Sequence, residues 1–74
     1  MDKDTVYFIN NGSTESQKVR MYLDIKSITY TEIDYSTMSD EAKGQLTDRP
    51  PAVIFEQKAI YGFDGDKLNE MLDN

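Results

Sequence analysis

The sequence predicts a small α/β domain, and three observations support this fold class. A continuous apolar run near the N-terminus is followed by a helical pattern and then by a second β-rich run. A third apolar run, Ala-Val-Ile-Phe, follows a pair of prolines late in the chain. The chain has 74 residues, which is the length of one small domain. We therefore expect a single domain over residues 1–74 that begins with a parallel strand-helix-strand unit.

The first strand is predicted over residues 5–9, after a short charged lead-in at residues 1–4. This run is apolar, β-branched and aromatic without alternation, which is typical of a strand buried on both faces. Asn-Asn-Gly at residues 10–12 ends the strand. The strand is therefore expected to belong to a parallel pair with helices around it.

The first helix is predicted over residues 14–26. Three apolar residues recur at helical spacing and would face the core: Val19, Tyr22 and Leu23. Either Ser13 or Thr14 would cap the helix, and Thr14 with Gln17 fits a capping box. A strand that leads into a helix through a short polar loop presents unpaired backbone N–H groups at one point.

The second strand is predicted over residues 28–35, with Tyr30 and Ile33 as its core residues. A strand, a helix and a strand at this spacing indicate a right-handed βαβ unit with parallel strands. A weak second helix is predicted over residues 39–46, capped by Ser36 or Thr37. Gly44 costs this helix about 1 kcal/mol relative to alanine.

The C-terminal third predicts a hairpin followed by a helix. Two prolines stop the second helix, and the third strand follows at residues 52–55. A tight turn at residues 56–58 leads to a return strand at residues 59–61. The last helix begins at Asp64 or Gly65. Its core-facing residues recur at i, i+3 and i+4: Leu68, Met71 and Leu72.

Composition excludes several classes of function. The chain has no cysteine and no histidine, so it has no thiol chemistry, no imidazole base and no zinc site of the usual kind. Its formal net charge is -6, which disfavours binding to nucleic acid or to anionic lipid. No run is apolar and long enough to span a membrane, so we expect a cytoplasmic protein with no metal site.

Four motifs, in order along the chain, carry a resemblance to a known family. The first helix contains Arg-Met-Tyr-Leu at residues 20–23, and the second strand carries an Ile-x-Tyr-x-x-Ile-Asp pattern at residues 28–34. Pro-Pro-Ala-Val-Ile-Phe occupies residues 50–55, and Ile-Tyr-Gly-Phe-Asp occupies residues 60–64. With these motifs the chain resembles the glutaredoxin family, including the small glutaredoxin-like redoxins, over nearly its whole length.

The resemblance implies a thioredoxin-like βαβαββα fold. Its four-stranded mixed sheet would have the order 2-1-3-4, with the first and third helices on one face and the second on the other. It also implies a cis peptide bond before Pro51. The two cysteines of the family's Cys-x-x-Cys would fall at Ser13 and Ser16.

Three departures from the family pattern occur at this one place. Ser13 and Ser16 cannot act as a low-pKa thiolate on a disulfide, and the chain has no base to activate a hydroxyl. Pro50 has no N–H, although the family residue before the cis proline binds substrate backbone through its N–H and its C=O. Tyr61 stands where the family has glycine, and we expect its ring to crowd the glutathione groove.

The resemblance therefore implies a binding surface without catalytic residues. We call it the candidate groove and define it by these residues: Asn11, Gly12, Ser13, Thr14, Ser16, Arg49, Pro50, Pro51, Tyr61, Gly62, Phe63 and Asp64. We expect a redox-inactive module that docks another protein there, without a cofactor, and a phage protein that engages a host factor would fit this description.

Two other interpretations stay open. The chain would be a thiol-disulfide oxidoreductase if the serines at positions 13 and 16 had been introduced in place of cysteines. It would be a glutathione-binding protein if Ser13 stabilised a glutathione thiolate, although a helix cap is the simpler role for that residue.

Overall fold

The computed structural model describes residues 5–72, so the charged lead-in predicted at residues 1–4 lies outside the described residues. Four strands, three α-helices and one 3-10 turn follow each other along this part of the chain. In order they are β1 (Val6–Asn10), α1 (Thr14–Ile25), β2 (Tyr30–Asp34), the 3-10 turn (Tyr35–Thr37), α2 (Asp40–Gly44), β3 (Ala52–Phe55), β4 (Lys58–Tyr61) and α3 (Gly65–Leu72).

The four strands form one mixed sheet in the order β2-β1-β3-β4. β1 pairs in parallel with β2 and antiparallel with β3, and β3 pairs antiparallel with β4. The predicted fold class and the predicted strand order are therefore confirmed. Since β1 and β3 are central, their apolar runs are covered on both faces, as their lack of alternation predicted.

The main core lies between one face of the sheet and helices α1 and α3. Six buried side chains form it: Val6, Phe8, Val19, Leu23, Val53 and Leu68. Met71 and Leu72 pack against this cluster, which confirms the predicted apolar stripe of α3. The two helices therefore cover the face of the sheet that carries Phe8 and Val53.

The opposite face carries Ile9 and Ala52, both with an exposed fraction of 0%. These residues pair across β1 and β3, and Ala52 pairs in turn with Tyr61 of β4. Because successive residues of a strand point to opposite faces, Tyr61 lies on this second face. Its hydroxyl accepts a hydrogen bond from the backbone N–H of Thr47, in the segment that follows α2.

The predicted bounds of β2 were wrong at both ends. β2 begins at Tyr30 rather than residue 28, because the backbone N–H of Ile28 donates to the carbonyl of Leu23 and closes the end of α1. β2 ends at Asp34, whose side chain caps the 3-10 turn. Tyr30 and Ile33, the predicted core residues of β2, are only partly buried because β2 is an edge strand.

The predicted cap at Ser13 is confirmed, whereas the other predicted helix caps need correction. Ser13 caps α1 by accepting from the backbone N–H of Ser16, so Thr14 is the first helical residue and forms no cap with Gln17. Ser39, rather than Ser36 or Thr37, caps α2. The predicted helix over residues 39–46 is shortened to Asp40–Gly44, since glycine favours helix termination.

The turn between β3 and β4 has two residues rather than the predicted three. Glu56 and Gln57 have φ angles of 51° and 67°, as a two-residue hairpin with both central φ angles positive requires. Lys58 therefore belongs to β4 and pairs with Phe55. This hairpin lies at the end of β3 that is far from Pro50 and Pro51.

Candidate functional site

Backbone and side-chain hydrogen bonds bring the three segments of the candidate groove together. The side-chain amide of Asn11 donates to the carbonyl of Pro50 at 2.8 Å, which joins the β1–α1 loop to the segment before β3. The backbone N–H of Gly62 donates to the carbonyl of Pro51 at 2.7 Å, which joins that segment to the loop before α3. The peptide bond between the two prolines is cis, and Pro51 is fully buried.

Asn11 is the centre of a polar network at the start of α1. Its side-chain oxygen accepts from the Ser13 backbone N–H at 3.1 Å, from the Ser13 hydroxyl at 2.6 Å and from the Ser16 hydroxyl at 2.6 Å. A carbonyl oxygen has two lone pairs, so three donors fully occupy it. The network therefore fixes the loop and both serine side chains in one arrangement.

Ser16 is the buried polar residue of this network, with an exposed fraction of 1%. Its hydroxyl donates to the Asn11 side chain and accepts from the Asn11 backbone N–H at 3.2 Å. The two serine oxygens lie 3.3 Å apart, as expected for two positions one helical turn apart at a cap. The sequence has no imidazole that could remove a proton from either hydroxyl.

Pro50 departs from the family pattern in two ways. It has no N–H to donate, as the sequence predicted. Its carbonyl already accepts the hydrogen bond from Asn11. Both backbone groups that the resemblance assigns to substrate binding are therefore missing or engaged.

The side chain of Tyr61 contacts the segment that leads into Pro50 and Pro51. The register of β4 places this side chain on the face of the sheet that also carries Ala52. Its hydroxyl lies 3.1 Å from the backbone nitrogen of Thr47 and holds the segment between α2 and β3. That its ring crowds a glutathione groove stays a prediction.

Glu15 is a site residue that the sequence analysis missed. Its carboxylate oxygen Oε2 accepts a hydrogen bond from the backbone N–H of Phe63 at 2.8 Å, across 48 positions of sequence. A Cβ atom at Gly62 would lie only 2.8 Å from the same oxygen. The sequence could not have identified this contact, because a backbone N–H is present at every residue except proline and leaves no pattern of residue types.

The remaining residues of the candidate groove are exposed or support the helix ends. Gly12 adopts a φ of 78°, which the turn between β1 and α1 requires. Thr14 and Arg49 are exposed. Asp64 caps α3 by accepting from the backbone N–H of Lys67 at 3.1 Å.

Phe63 continues the candidate groove into an apolar surface on α1. Its ring meets the ring of Tyr22 edge to face, with centroids 6.2 Å apart. Met21 and Ile25 lie on the same side of α1 and are 61% and 76% exposed. The surface beside the groove is therefore apolar, although the chain as a whole is acidic.

Two shifted pKa values belong to residues of β2, away from the serines. Burial, followed by the charge of Asp24, raises the pKa of Tyr30 above its ordinary value. The hydroxyl and the backbone N–H of Ser36 bind the Asp34 carboxylate and lower its pKa. Within residues 5–72 no group of three or more potential ligand side chains could hold a metal ion, and none of the helices there has the length and apolarity to span a bilayer.

Comparison with solved structures decides the fold. The crystal structure of the thioredoxin-like protein BC3987, determined as a point mutant, matches with a TM-score of 0.81 and 20% identity, over 99% of this chain and 97% of that one. A glutaredoxin from Archaeoglobus fulgidus matches with a TM-score of 0.78 and 13% identity, over 99% of this chain and 90% of that one. The chain has a glutaredoxin-like thioredoxin fold. No protein-family model matches it, and no curated protein matches it in sequence.

The match covers nearly the whole length of the chain. The candidate groove is made of the β1–α1 loop, the segment with the cis peptide bond and the β4–α3 loop. Ser13 and Ser16 stand where the resemblance implies cysteines. The identities of 20% and 13% establish the fold alone, so function has to be argued from the residues of the groove.

Proposed function

We propose that this chain is a redox-inactive binding module that docks another protein through the candidate groove. The observation that carries the proposal is the hydrogen-bond network in which Asn11 accepts from both Ser13 and Ser16 while its amide engages Pro50. Because these side chains already bind one another, the site supports binding of a partner rather than thiol exchange.

The hydrogen bonds of this network suit a hydroxyl rather than a thiol at positions 13 and 16. A hydroxyl is a strong donor, whereas a thiol is a weak one. A thiolate at either position would also face the side-chain oxygen of Asn11, which is an acceptor and would oppose its negative charge. These contacts support the interpretation that both serines belong to the natural sequence.

The exposed side chains of the groove suit a protein partner. Thr14 and Arg49 are exposed polar groups, and Phe63 is a 39% exposed aromatic ring beside the apolar surface of α1. Aromatic and arginine side chains are the residues that most often carry binding energy at protein interfaces. A cytoplasmic protein that engages a host factor, such as a phage protein, is the setting that we propose.

Site-specific photo-crosslinking in the expression host tests this proposal. Phe63 is replaced by p-benzoylphenylalanine, which keeps an aromatic ring at the groove, and the control carries the same group at the exposed Gln57 of the distant hairpin. We expect a discrete protein adduct from position 63 that is absent from position 57. Adding Thr14→Arg, which places a bulky cation in the groove, should abolish that adduct.

Two results would contradict the proposal. One is an adduct pattern that is the same from both positions. The other is turnover of a glutathione mixed disulfide by the wild-type chain above the blank rate, since that chemistry needs a thiol.

The competing interpretation rests on one specific distance. The oxygens of Ser13 and Ser16 lie 3.3 Å apart, so the side chains have the proximity that a Cys-x-x-Cys pair would need. A thiol-disulfide oxidoreductase whose cysteines had been replaced would show the same spacing. The nucleotide sequence of the source gene at these two codons decides directly between the two interpretations.

A further inference from the structure

Glu15 connects the first turn of α1 to the loop before α3. Its Oε2 accepts from the Phe63 backbone N–H at 2.8 Å, and it lies against the position that a side chain at Gly62 would occupy. Gly62 itself has a φ of 73° and donates its own N–H to Pro51. The carboxylate therefore lies on the backbone of the third segment of the candidate groove.

A backbone N–H that faces a groove is a donor for an incoming carboxylate. Hydrogen bonds between an N–H and an ionised carboxylate are about twice as strong as those between neutral groups. Here the chain supplies the carboxylate itself, so a ligand would have to displace Glu15 in order to use the Phe63 N–H. It would also meet the negative charge of Glu15, in a chain whose net charge is already -6.

We propose that the carboxylate of Glu15 occupies the Phe63 N–H and thereby determines which ligands the candidate groove accepts. The groove then refuses ligands that bind through a carboxylate, glutathione included, and takes polypeptide segments that are neutral or basic there. This inference deepens the proposed function and rests on it. The second oxygen, Oε1, has no hydrogen-bond partner within residues 5–72 and is free to accept from a ligand N–H or cation.

The test measures carboxylate binding by NMR titration with glutathione and with its diethyl ester, which lacks both carboxylates. Four proteins are compared: wild type, Glu15→Ala, Glu15→Gln and the control Glu70→Gln. Glu70 is an exposed residue of α3, so its replacement removes one charge without touching the groove. The readout is the dissociation constant together with the movement of the Phe63 amide signal.

We expect Glu15→Ala to bind glutathione at least about tenfold more tightly than wild type, because removing the side chain frees a donor for a charge-assisted hydrogen bond. The Phe63 amide should move on binding. The diethyl ester should show no such gain. Glu15→Gln should gain clearly less than Glu15→Ala, because the glutamine carbonyl oxygen still occupies the N–H although the negative charge is gone. Glu70→Gln should also match wild type.

Three outcomes would overturn the inference. Glutathione binding to wild type as tight as to Glu15→Ala would show that the Phe63 N–H is already open to a ligand. An equal gain in Glu70→Gln would attribute the effect to net charge, and a Glu15→Gln that matched Glu15→Ala would attribute it to local charge rather than to occupancy.

The inference and the proposed function fail separately. The crosslink from position 63 reports partner docking in the wild-type chain, whatever the titration of Glu15→Ala gives. The amide spectrum of each variant verifies its fold before the titration. If alanine disturbs that spectrum, Glu15→Ser repeats the test with a residue that helix first turns accept.

Discussion

The hydroxyl of Ser16 donates to the side-chain oxygen of Asn11 at 2.6 Å and accepts from the Asn11 backbone N–H at 3.2 Å. Ser16 is 1% exposed, so water cannot replace either bond. A buried hydroxyl that satisfies two groups of one residue fixes the β1–α1 loop against the helix. The polar network at the candidate groove is therefore part of the fold as well as part of the site.

Replacing Asn11 by alanine should lower the free energy of unfolding by about 1–3 kcal/mol. The buried hydroxyl of Ser16 would lose its acceptor, and the link to the Pro50 carbonyl would be lost. Urea denaturation measures the change. The matched control is Asn69→Ala, since Asn69 is an exposed residue whose side chain accepts a 3.5 Å bond from Lys26. It should stay within about 0.5 kcal/mol of wild type, and an equal loss in both variants would contradict the role given to Asn11.

Changing Ser13 and Ser16 together to cysteine should restore a disulfide but little catalysis. The two side chains are adjacent at the start of α1, and a helix N-terminus lowers a thiol pKa below the free value of about 8.5. Turnover should remain poor because Pro50 has no N–H to donate to the substrate backbone. Thiol counting measures the disulfide, and a glutathione mixed-disulfide assay measures turnover.

The single variant Ser13→Cys is the control, because it has the nucleophile position without the resolving thiol. If the double variant worked as well as an ordinary glutaredoxin, the groove would be intact for thiol exchange. The interpretation that the serines replaced cysteines would then be the better one.

The Asp34 carboxylate gives a prediction about pH. The Ser36 hydroxyl and then the Ser36 backbone N–H hold the pKa of Asp34 below its ordinary value of 3.8. A depressed folded pKa contributes stability above the unfolded pKa of about 3.9, and this contribution is lost as the pH falls through the folded value. Ser36→Ala should therefore raise the pKa of Asp34 toward 3.8, as a carboxyl ¹³C titration would measure. Ser39→Ala, which uncaps α2 instead, should leave the Asp34 pKa unchanged.

The sheet and its core could be predicted because their signals are local in sequence. The continuous apolar run of β1 indicated a strand buried on both faces, and the spacing of Leu68, Met71 and Leu72 indicated the buried side of α3. The bounds of β2 could not be predicted in this way. They depend on the hydrogen bond from the Ile28 N–H to the Leu23 carbonyl and on the cap that Asp34 makes. In both places the backbone has competing hydrogen-bond partners.

The internal contacts of the candidate groove lay beyond sequence reasoning for a different reason. Glu15 and Phe63 are 48 positions apart, and the group that Glu15 binds is a backbone N–H, which every residue except proline has. The hydrogen bond of Tyr61 to the Thr47 backbone has a similar cause, because the face of the sheet on which Tyr61 lies follows from its register with Ala52. The fold shows which groups of the candidate groove are engaged in such contacts.

Comparing Gly62→Ala with Gly12→Ala isolates the contact of Gly62 with Glu15. Both glycines have positive φ, 73° and 78°, so alanine should cost each about 1–2 kcal/mol of backbone strain. The new Cβ at Gly62 would also lie 2.8 Å from Glu15 Oε2, whereas at Gly12 nothing lies within 4 Å. Gly62→Ala should therefore lower the free energy of unfolding by more than Gly12→Ala does. In a Glu15→Ala background the extra loss should disappear, because the strain remains while the crowding is gone. An extra loss that persisted there would mean that Glu15 does not lie against this loop.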